Sequence, residues 1–93
     1  MSKALKTMYM YRIYISSSID RKHVESIINE LKSIFAEKIV NLSLKQSSVV
    51  QYLYLIELLC REKADEDKIL KTIKSHGLPL SSIKIDELQV KKP

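Results

Sequence analysis

The run Val49–Cys60, VVQYLYLIELLC, constrains this chain more than any other stretch. It is rich in β-branched, aromatic and aliphatic residues, and it is far shorter than the roughly 20 residues of a membrane helix. It reads as a central β-strand. Successive strand side chains point to opposite faces. Val50, Tyr52, Tyr54, Ile56 and Leu58 therefore share one face; Val49, Leu53 and Leu55 share the other, with Gln51 and Glu57. Both faces are apolar. One can pack on helices. The second needs a cover of its own, because small soluble domains seldom leave contiguous apolar surface bare.

The rest of the chain supplies the neighbours. Residues 1–6 read as a frayed start. Thr7–Ser16 is a first strand, with Tyr9, Tyr11, Ile13 and Ile15 on one face and Met8, Met10, Arg12 and Tyr14 on the other. Ser16, Ser17 and Ser18 break it. Asp20 is placed to cap a helix over residues 21–37, where its carboxylate meets free amides and the positive dipole end. Ile19 and Val24 have the spacing of a hydrophobic staple. Val24, Ile27, Ile28, Leu31, Ile34 and Phe35 form that helix's apolar stripe. Ile39–Gln46 alternates, with Val40, Leu42 and Leu44 against Asn41, Ser43 and Lys45. Gln46, Ser47 and Ser48 then turn the chain into the 49–60 strand. Asp65 caps a second helix, with Glu66 and Asp67 in its first turn and Ile69, Leu70 and Ile73 as its stripe. Gly77 and Pro79 end it. Ile83 and Ile85 alternate with Lys84 and Asp86 in a last strand. Leu88 and Val90 fall off that phase, which predicts a bulge or an extension. Lys91, Lys92 and Pro93 read as a tail.

The order is βαββαβ. It predicts an α+β, ferredoxin-like sandwich: one domain over residues 1–93, with a four-stranded antiparallel sheet and two helices on one face. Right-handed crossovers place the first and third strands at the centre. Those are the two strands with apolar residues on both sides. The helix-free face should then carry Leu53 and Leu55 beside Met10 and Tyr14, and we take these four residues as the expected oligomer interface.

Catalytic and metal-binding patterns are sparse. His23 and His76 belong to no HxH or HxxxH pair and read as surface helix histidines. Cys60 is the only cysteine. It excludes an intrachain disulfide, fits a reducing compartment, and reads as a small buried apolar residue. Ser16, Ser17 and Ser18 lie in no GxSxG elbow. Glu62, Asp65, Glu66 and Asp67 lack the spacing and glycine of a calcium loop, and capping explains most of them. With a single glycine in the chain, no Gly-rich phosphate loop is available. No nucleophile, base and orienter stand together, so the expectation is a protein that is not an enzyme and needs no cofactor or metal. The N-terminus lacks the apolar core of a signal peptide, and no stretch suits a membrane anchor, so the expected location is cytoplasmic, with no membrane partner.

A formal net charge of +5 permits nucleic-acid contact without requiring it. RNA-recognition motifs share this element order and stack bases on aromatics of the first and third strands. Ile13-Tyr14-Ile15 and the pair Tyr52 and Tyr54 resemble those positions. The third strand lacks the basic residue and glycines of that motif, and the polar phase set by Gln51 and Glu57 points Tyr52 and Tyr54 inward. Lys68, Lys71 and Lys74 give the second helix a basic stripe that reads as a solvated face. Arg12, Lys84 and Lys91 are the candidate nucleic-acid contacts, and the expected affinity is weak and independent of sequence.

Several local stretches resemble the domain-of-unknown-function 211 family of small archaeal proteins. They are Val40-Asn41-Leu42-Ser43-Leu44, Asp65-Glu66-Asp67-Lys68-Ile69, Ile73-Lys74-Ser75-His76-Gly77 and Leu80-Ser81-Ser82-Ile83. The similarity spans residues 39–85. Leu78 stands where that family tends to have a second glycine, and Lys84 and Ile85 stand in place of an acidic pair. The resemblance implies an oligomeric ferredoxin-like module of unassigned activity. By topology alone the chain is also ACT-like, and ACT-type regulatory domains bind small effectors at subunit interfaces. The expected function is a homo-oligomeric module holding a small effector or ion at a subunit interface. The alternative is a nucleic-acid-binding protein using the sheet face.

Overall fold

The computed structural model describes residues 6–50 and 52–92. Of the start expected to fray, Lys6 lies in a strand and residues 1–5 lie outside the described residues, as do Gln51 and Pro93. The elements run β1 (Lys6–Ser16), α1 (Arg21–Ile34), β2 (Ile39–Gln46), β3 (Leu53–Cys60), α2 (Glu66–Lys74), a 3-10 turn at Leu80–Ser82, and β4 (Ile83–Lys92). The strands form one sheet in the order β2-β3-β1-β4, antiparallel at every pairing. The α+β, ferredoxin-like arrangement is therefore present, with the first and third strands central.

The alternation in β1 and β3 decides where the core lies. Tyr11, Ile13 and Ile15 of β1 and Tyr54, Ile56, Leu58 and Cys60 of β3 are buried. They form one cluster with Val24, Ile27, Ile28, Leu31 and Phe35 from the first helical segment and Ile69 and Ile73 from α2. Both helices thus cover the same face. Capping fixes their starts: Asp20 Oδ1 accepts from the His23 amide at 2.9 Å, and Asp65 Oδ1 accepts from the Asp67 amide at 2.9 Å. Ile19 packs against the core beside the first cap, as the staple requires. Gly77 adopts φ 87°, the left-handed conformation that ends a helix most easily without a Cβ.

Four boundaries differ from the sequence reading. Helix α1 ends at Ile34, and Phe35 closes it through its amide to the Leu31 carbonyl. Strand β3 begins at Leu53, not Val49. The Ser47 hydroxyl accepts from the amides of Val49 at 3.2 Å and Val50 at 2.9 Å, holding these apolar residues in a turn. Tyr52 leaves that turn at φ 62°, and its carbonyl accepts from the Ser17 amide. Tyr52 therefore stays exposed, whereas Tyr54 turns inward and donates from its hydroxyl to the Ile19 carbonyl at 3.1 Å. The expected pair of inward tyrosines is split by the turn. Third, of the bulge or extension expected after Ile85, β4 shows the extension, and the register shift lies in β2 instead, between Ile39 and Asn41. Val40 is consequently exposed, and Ile39 joins Leu42 and Leu44 against the core. Fourth, β4 pairs with β1 in unbroken register from Ile83↔Ile15 to Lys92↔Lys6, so Lys91 and Lys92 continue the strand instead of forming a tail.

One hydroxyl ties β1 to two distant segments. Tyr11 is fully buried. Its hydroxyl lies 2.7 Å from Glu87 Oε2 and 3.1 Å from the Ala64 carbonyl, and accepts from the Ala64 amide at 2.8 Å. It joins the central strand to β4 and to the connection before α2. Burial, followed by the hydrogen bond to Glu87, pushes the phenol pKa above its ordinary value.

Candidate functional site

The helix-free face of the sheet is built from rows of paired residues. One row runs Asn41, Leu59, Met10, Leu88 across β2, β3, β1 and β4. The next runs Ser43, Glu57, Arg12, Asp86. The third runs Lys45, Leu55, Tyr14, Lys84. Met8 opposite Val90 extends the first band, and Leu53 beside Ser16 extends the last. Two apolar bands therefore flank a charged row. No described residue lies over this face from a helix, since both helices contribute to the core on the opposite side.

All four expected interface residues stand on this face. Met10, Tyr14, Leu53 and Leu55 are half-buried by their strand neighbours alone. They are not one continuous patch: Leu55 pairs with Tyr14, while Met10 pairs with Leu59 and Leu88 across the charged row. Three further apolar residues belong with them. Leu59 continues the period-2 pattern of the third strand. Leu88 and Val90 fall off the core-facing phase because they share the open-face phase of Met10 and Met8. The signal for them was present in the alternation itself. Leu88 is 42% exposed.

The charged row is held together by ion pairs. Glu57 Oε2 lies 3.3 Å from Arg12 Nε, and its Oε1 lies 3.0 Å from Lys45 Nζ. The Glu57 side chain is only 15% exposed, because leucines flank it along β3. The Lys45 hydrogen bond, with the charges of Lys45 and Arg12, outweighs desolvation and holds the Glu57 pKa below the ordinary 4.5. Both cations remain substantially exposed, so each pair is worth only about 0–1 kcal/mol. Asp86, next to Arg12 in register, makes no ion pair among the described residues.

The candidate nucleic-acid contacts do not form one surface. Arg12 and Lys84 lie on the open face, but Arg12 is engaged by Glu57. Lys91 is at an odd position of β4 and lies on the helix-side face. Tyr54 is buried and cannot stack a base; Tyr52 is exposed on the turn before β3.

The remaining candidates for chemistry are placed as follows. His23 and His76, isolated in sequence, meet across α1 and the end of α2 with ring centroids 5.3 Å apart, and His76 Nε2 lies 2.5 Å from Glu30 Oε2. Sequence spacing could not show this, because the contact depends on how the helices pack. No group of three or more histidine, cysteine, aspartate or glutamate side chains is arranged to hold a metal ion among the described residues. Cys60 is buried, and burial pushes its thiol pKa up, away from nucleophilic use. No described helix is long and apolar enough to cross a membrane.

No protein-family model matches the chain, and no curated protein matches it. Solved structures do. An uncharacterized protein, TM1266 from Thermotoga maritima, superposes with a TM-score of 0.53 at 20% identity, covering 90% of this chain and 96% of that one. PA3566 from Pseudomonas aeruginosa superposes with a TM-score of 0.51 at 13% identity, covering 98% of this chain and 99% of that one. At these identities the likeness concerns the fold.

Proposed function

We propose that this chain is a non-enzymatic, cytoplasmic assembly module that docks a second copy of itself through the open face of the sheet. The observation that carries the reading is the pair of apolar bands, Leu59, Met10 and Leu88 on one side and Leu55 and Tyr14 on the other, lying on the face opposite both described helices. Four strands about 4.8 Å apart and about eight residues long give a face of about 500 Å² in projection. Side-chain relief brings that toward the roughly 800 Å² per partner of a stable interface.

A second copy is favoured over an unrelated partner by charge. The central row carries both signs, and Arg12 stands between Glu57 and Asp86, which makes no ion pair among the described residues. A two-fold contact presents the same patch on both sides. Such a patch must match itself, and a row with both signs can do so. The charged row enclosed between apolar bands is also where a small effector or an ion would be held, which is the regulatory role drawn from the ACT-like topology. Membership of the domain-of-unknown-function 211 family belongs to this proposal and rests on the stretches within residues 39–85.

The test is sedimentation of the wild type and of Leu53→Ser/Leu55→Ser over a range of concentrations, with circular dichroism on both. The wild type should associate. The double variant should stay folded and sediment as a smaller species than the wild type. A wild type that stays monomeric at high concentration would refute the proposal. Salt-resistant binding of nucleic acid above about 0.2 M would favour the alternative, because nonspecific phosphate contacts weaken steeply with salt.

A further inference from the structure

We infer that the free edge of β4 is a second self-association surface, pairing antiparallel with β4 of another copy about a two-fold axis at Gln89. The two edges of the sheet are unlike. The β2 edge is interrupted by the register shift between Ile39 and Asn41. Such irregularities block pairing with another strand. The β4 edge runs ten residues, Ile83–Lys92, in unbroken register with β1 and without an internal proline. Its outer amides and carbonyls are a template for a further strand.

Lysines on an edge commonly prevent such pairing. Here Lys91 is matched, and Lys84 lies outside the paired segment. The end of β4 reads Asp86-Glu87-Leu88-Gln89-Val90-Lys91-Lys92. Folded onto itself about Gln89, it sets Asp86 opposite Lys92, Glu87 opposite Lys91 and Leu88 opposite Val90. Glu87 meets Lys91 on each side of the axis, and apolar meets apolar. Every opposed pair has the same parity, so the open faces of the two sheets stay on one side, as an axis perpendicular to the sheet requires. A shift of two residues, to an axis at Leu88, loses the Glu87–Lys91 pairing and sets Asp86 against Val90 and Ile85 against Lys91. Opposite charges across antiparallel strands stabilise and like charges destabilise, so the sequence selects the Gln89 register. The occupant is a second copy of this chain, and the product is a continuous eight-stranded sheet. The contact uses backbone and side chains at the edge, and it does not depend on the face-to-face docking proposed above.

Cysteine cross-linking tests the register. Gln89 is exposed, and its two copies should stand about 4.5–5.5 Å apart between Cα atoms, within disulfide reach. Gln89→Cys should form a covalent dimer on mild oxidation. Lys84→Cys should not, since its two copies lie about 33 Å apart in this register. Buried Cys60 stays out of the reaction. Adding Lys91→Glu to Gln89→Cys sets two carboxylates opposite each other and should slow cross-linking at least tenfold. The same set made in the Leu53→Ser/Leu55→Ser background should behave identically, which separates the edge contact from the face contact. Equal cross-linking through positions 84 and 89, indifference to the charge change, or loss of cross-linking in that background would each overturn the inference.

Discussion

Adjacent residues of β3 should respond to truncation in different ways, and the contrast tests which face is the core. Ile56 is fully buried against the helices, whereas Leu55 is half-buried on the open face opposite Tyr14. Ile56→Ala removes three carbons from a closed core, which typically costs about 2–5 kcal/mol. For a domain of this size that lowers Tm by about 8 °C or more. Leu55→Ala removes a side chain already screened by its strand neighbours. In the monomer it should cost about 1 kcal/mol, since no cavity closes over it. Its larger effect should be on association. The part of Leu55 still open to solvent offers about 1 kcal/mol of apolar burial per copy. Both copies contribute in a two-fold contact, so the dimer loses about 2 kcal/mol, or about thirtyfold in Kd. The assays are urea unfolding at low protein concentration, where only monomer is present, and sedimentation equilibrium at higher concentrations. The reasoning fails if Leu55→Ala destabilises the dilute monomer as much as Ile56→Ala does. It also fails if Leu55→Ala leaves the association constant unchanged.

Tyr11→Phe should lose about 2–4 kcal/mol in urea unfolding with an unchanged m-value, because the buried Ala64 amide loses its acceptor and Glu87 loses a short hydrogen bond; a loss under about 0.5 kcal/mol would show that water replaces the hydroxyl. Gly77→Ala should cost about 1–2 kcal/mol despite the open space around its Cβ position, since the strain of φ 87° is in the backbone itself; an unchanged Tm would contradict this. The Glu57 pKa is lowered on folding, so its ion pairs add stability above about pH 4.5 that is lost as pH falls through the folded value. Denaturation of wild type and Glu57→Gln from pH 7 to 3 should show the wild-type advantage shrinking on the acid side, and a constant difference would rule out that linkage.

Much of the sheet was legible because period-2 alternation is local. In β1 it separated Tyr11, Ile13 and Ile15 from Met10, Arg12 and Tyr14 without reference to any other element, and the structure places the two sets on opposite faces. The caps at Asp20 and Asp65 and the stop at Gly77 were equally local. What failed was longer in range or competed with alternation. Val49, Val50 and Tyr52 have the composition of a strand, yet the Ser47 hydroxyl and the Ser17–Tyr52 contact hold them in a turn. Leu88 and Val90 looked irregular because the phase was judged against the core alone. With Met10 and Met8 opposite them, the same phase marks an apolar outer face. Val40 alternates correctly in sequence, but the register shift turns it outward. The meeting of His23 with His76 required the packing of two helices, which no spacing encodes.

The charged row bears on why the open face would select its own kind. A face made only of leucine and methionine would bind any apolar surface, because burial is not directional. Glu57 changes that. It sits between Leu55 and Leu59 with 15% of its side chain exposed, and it is held charged by Lys45 and Arg12. Any partner covering the row must leave those pairs intact or supply replacements, since removing one member of a buried pair costs about 3–5 kcal/mol. A flat apolar partner leaves those pairs in place but strips water from Arg12, Lys45 and Asp86 and offers no polar group in return. A second copy supplies another Arg12, another Lys45 and another Asp86, arranged by the same register. The apolar bands would then contribute the affinity, and the Ser43-Glu57-Arg12-Asp86 row would set the partner and its orientation. Arg12→Leu should therefore weaken self-association while increasing nonspecific aggregation, although it makes the face more apolar. Light scattering beside sedimentation reads both effects, and tighter, well-defined dimers of Arg12→Leu would show that the row plays no selective part.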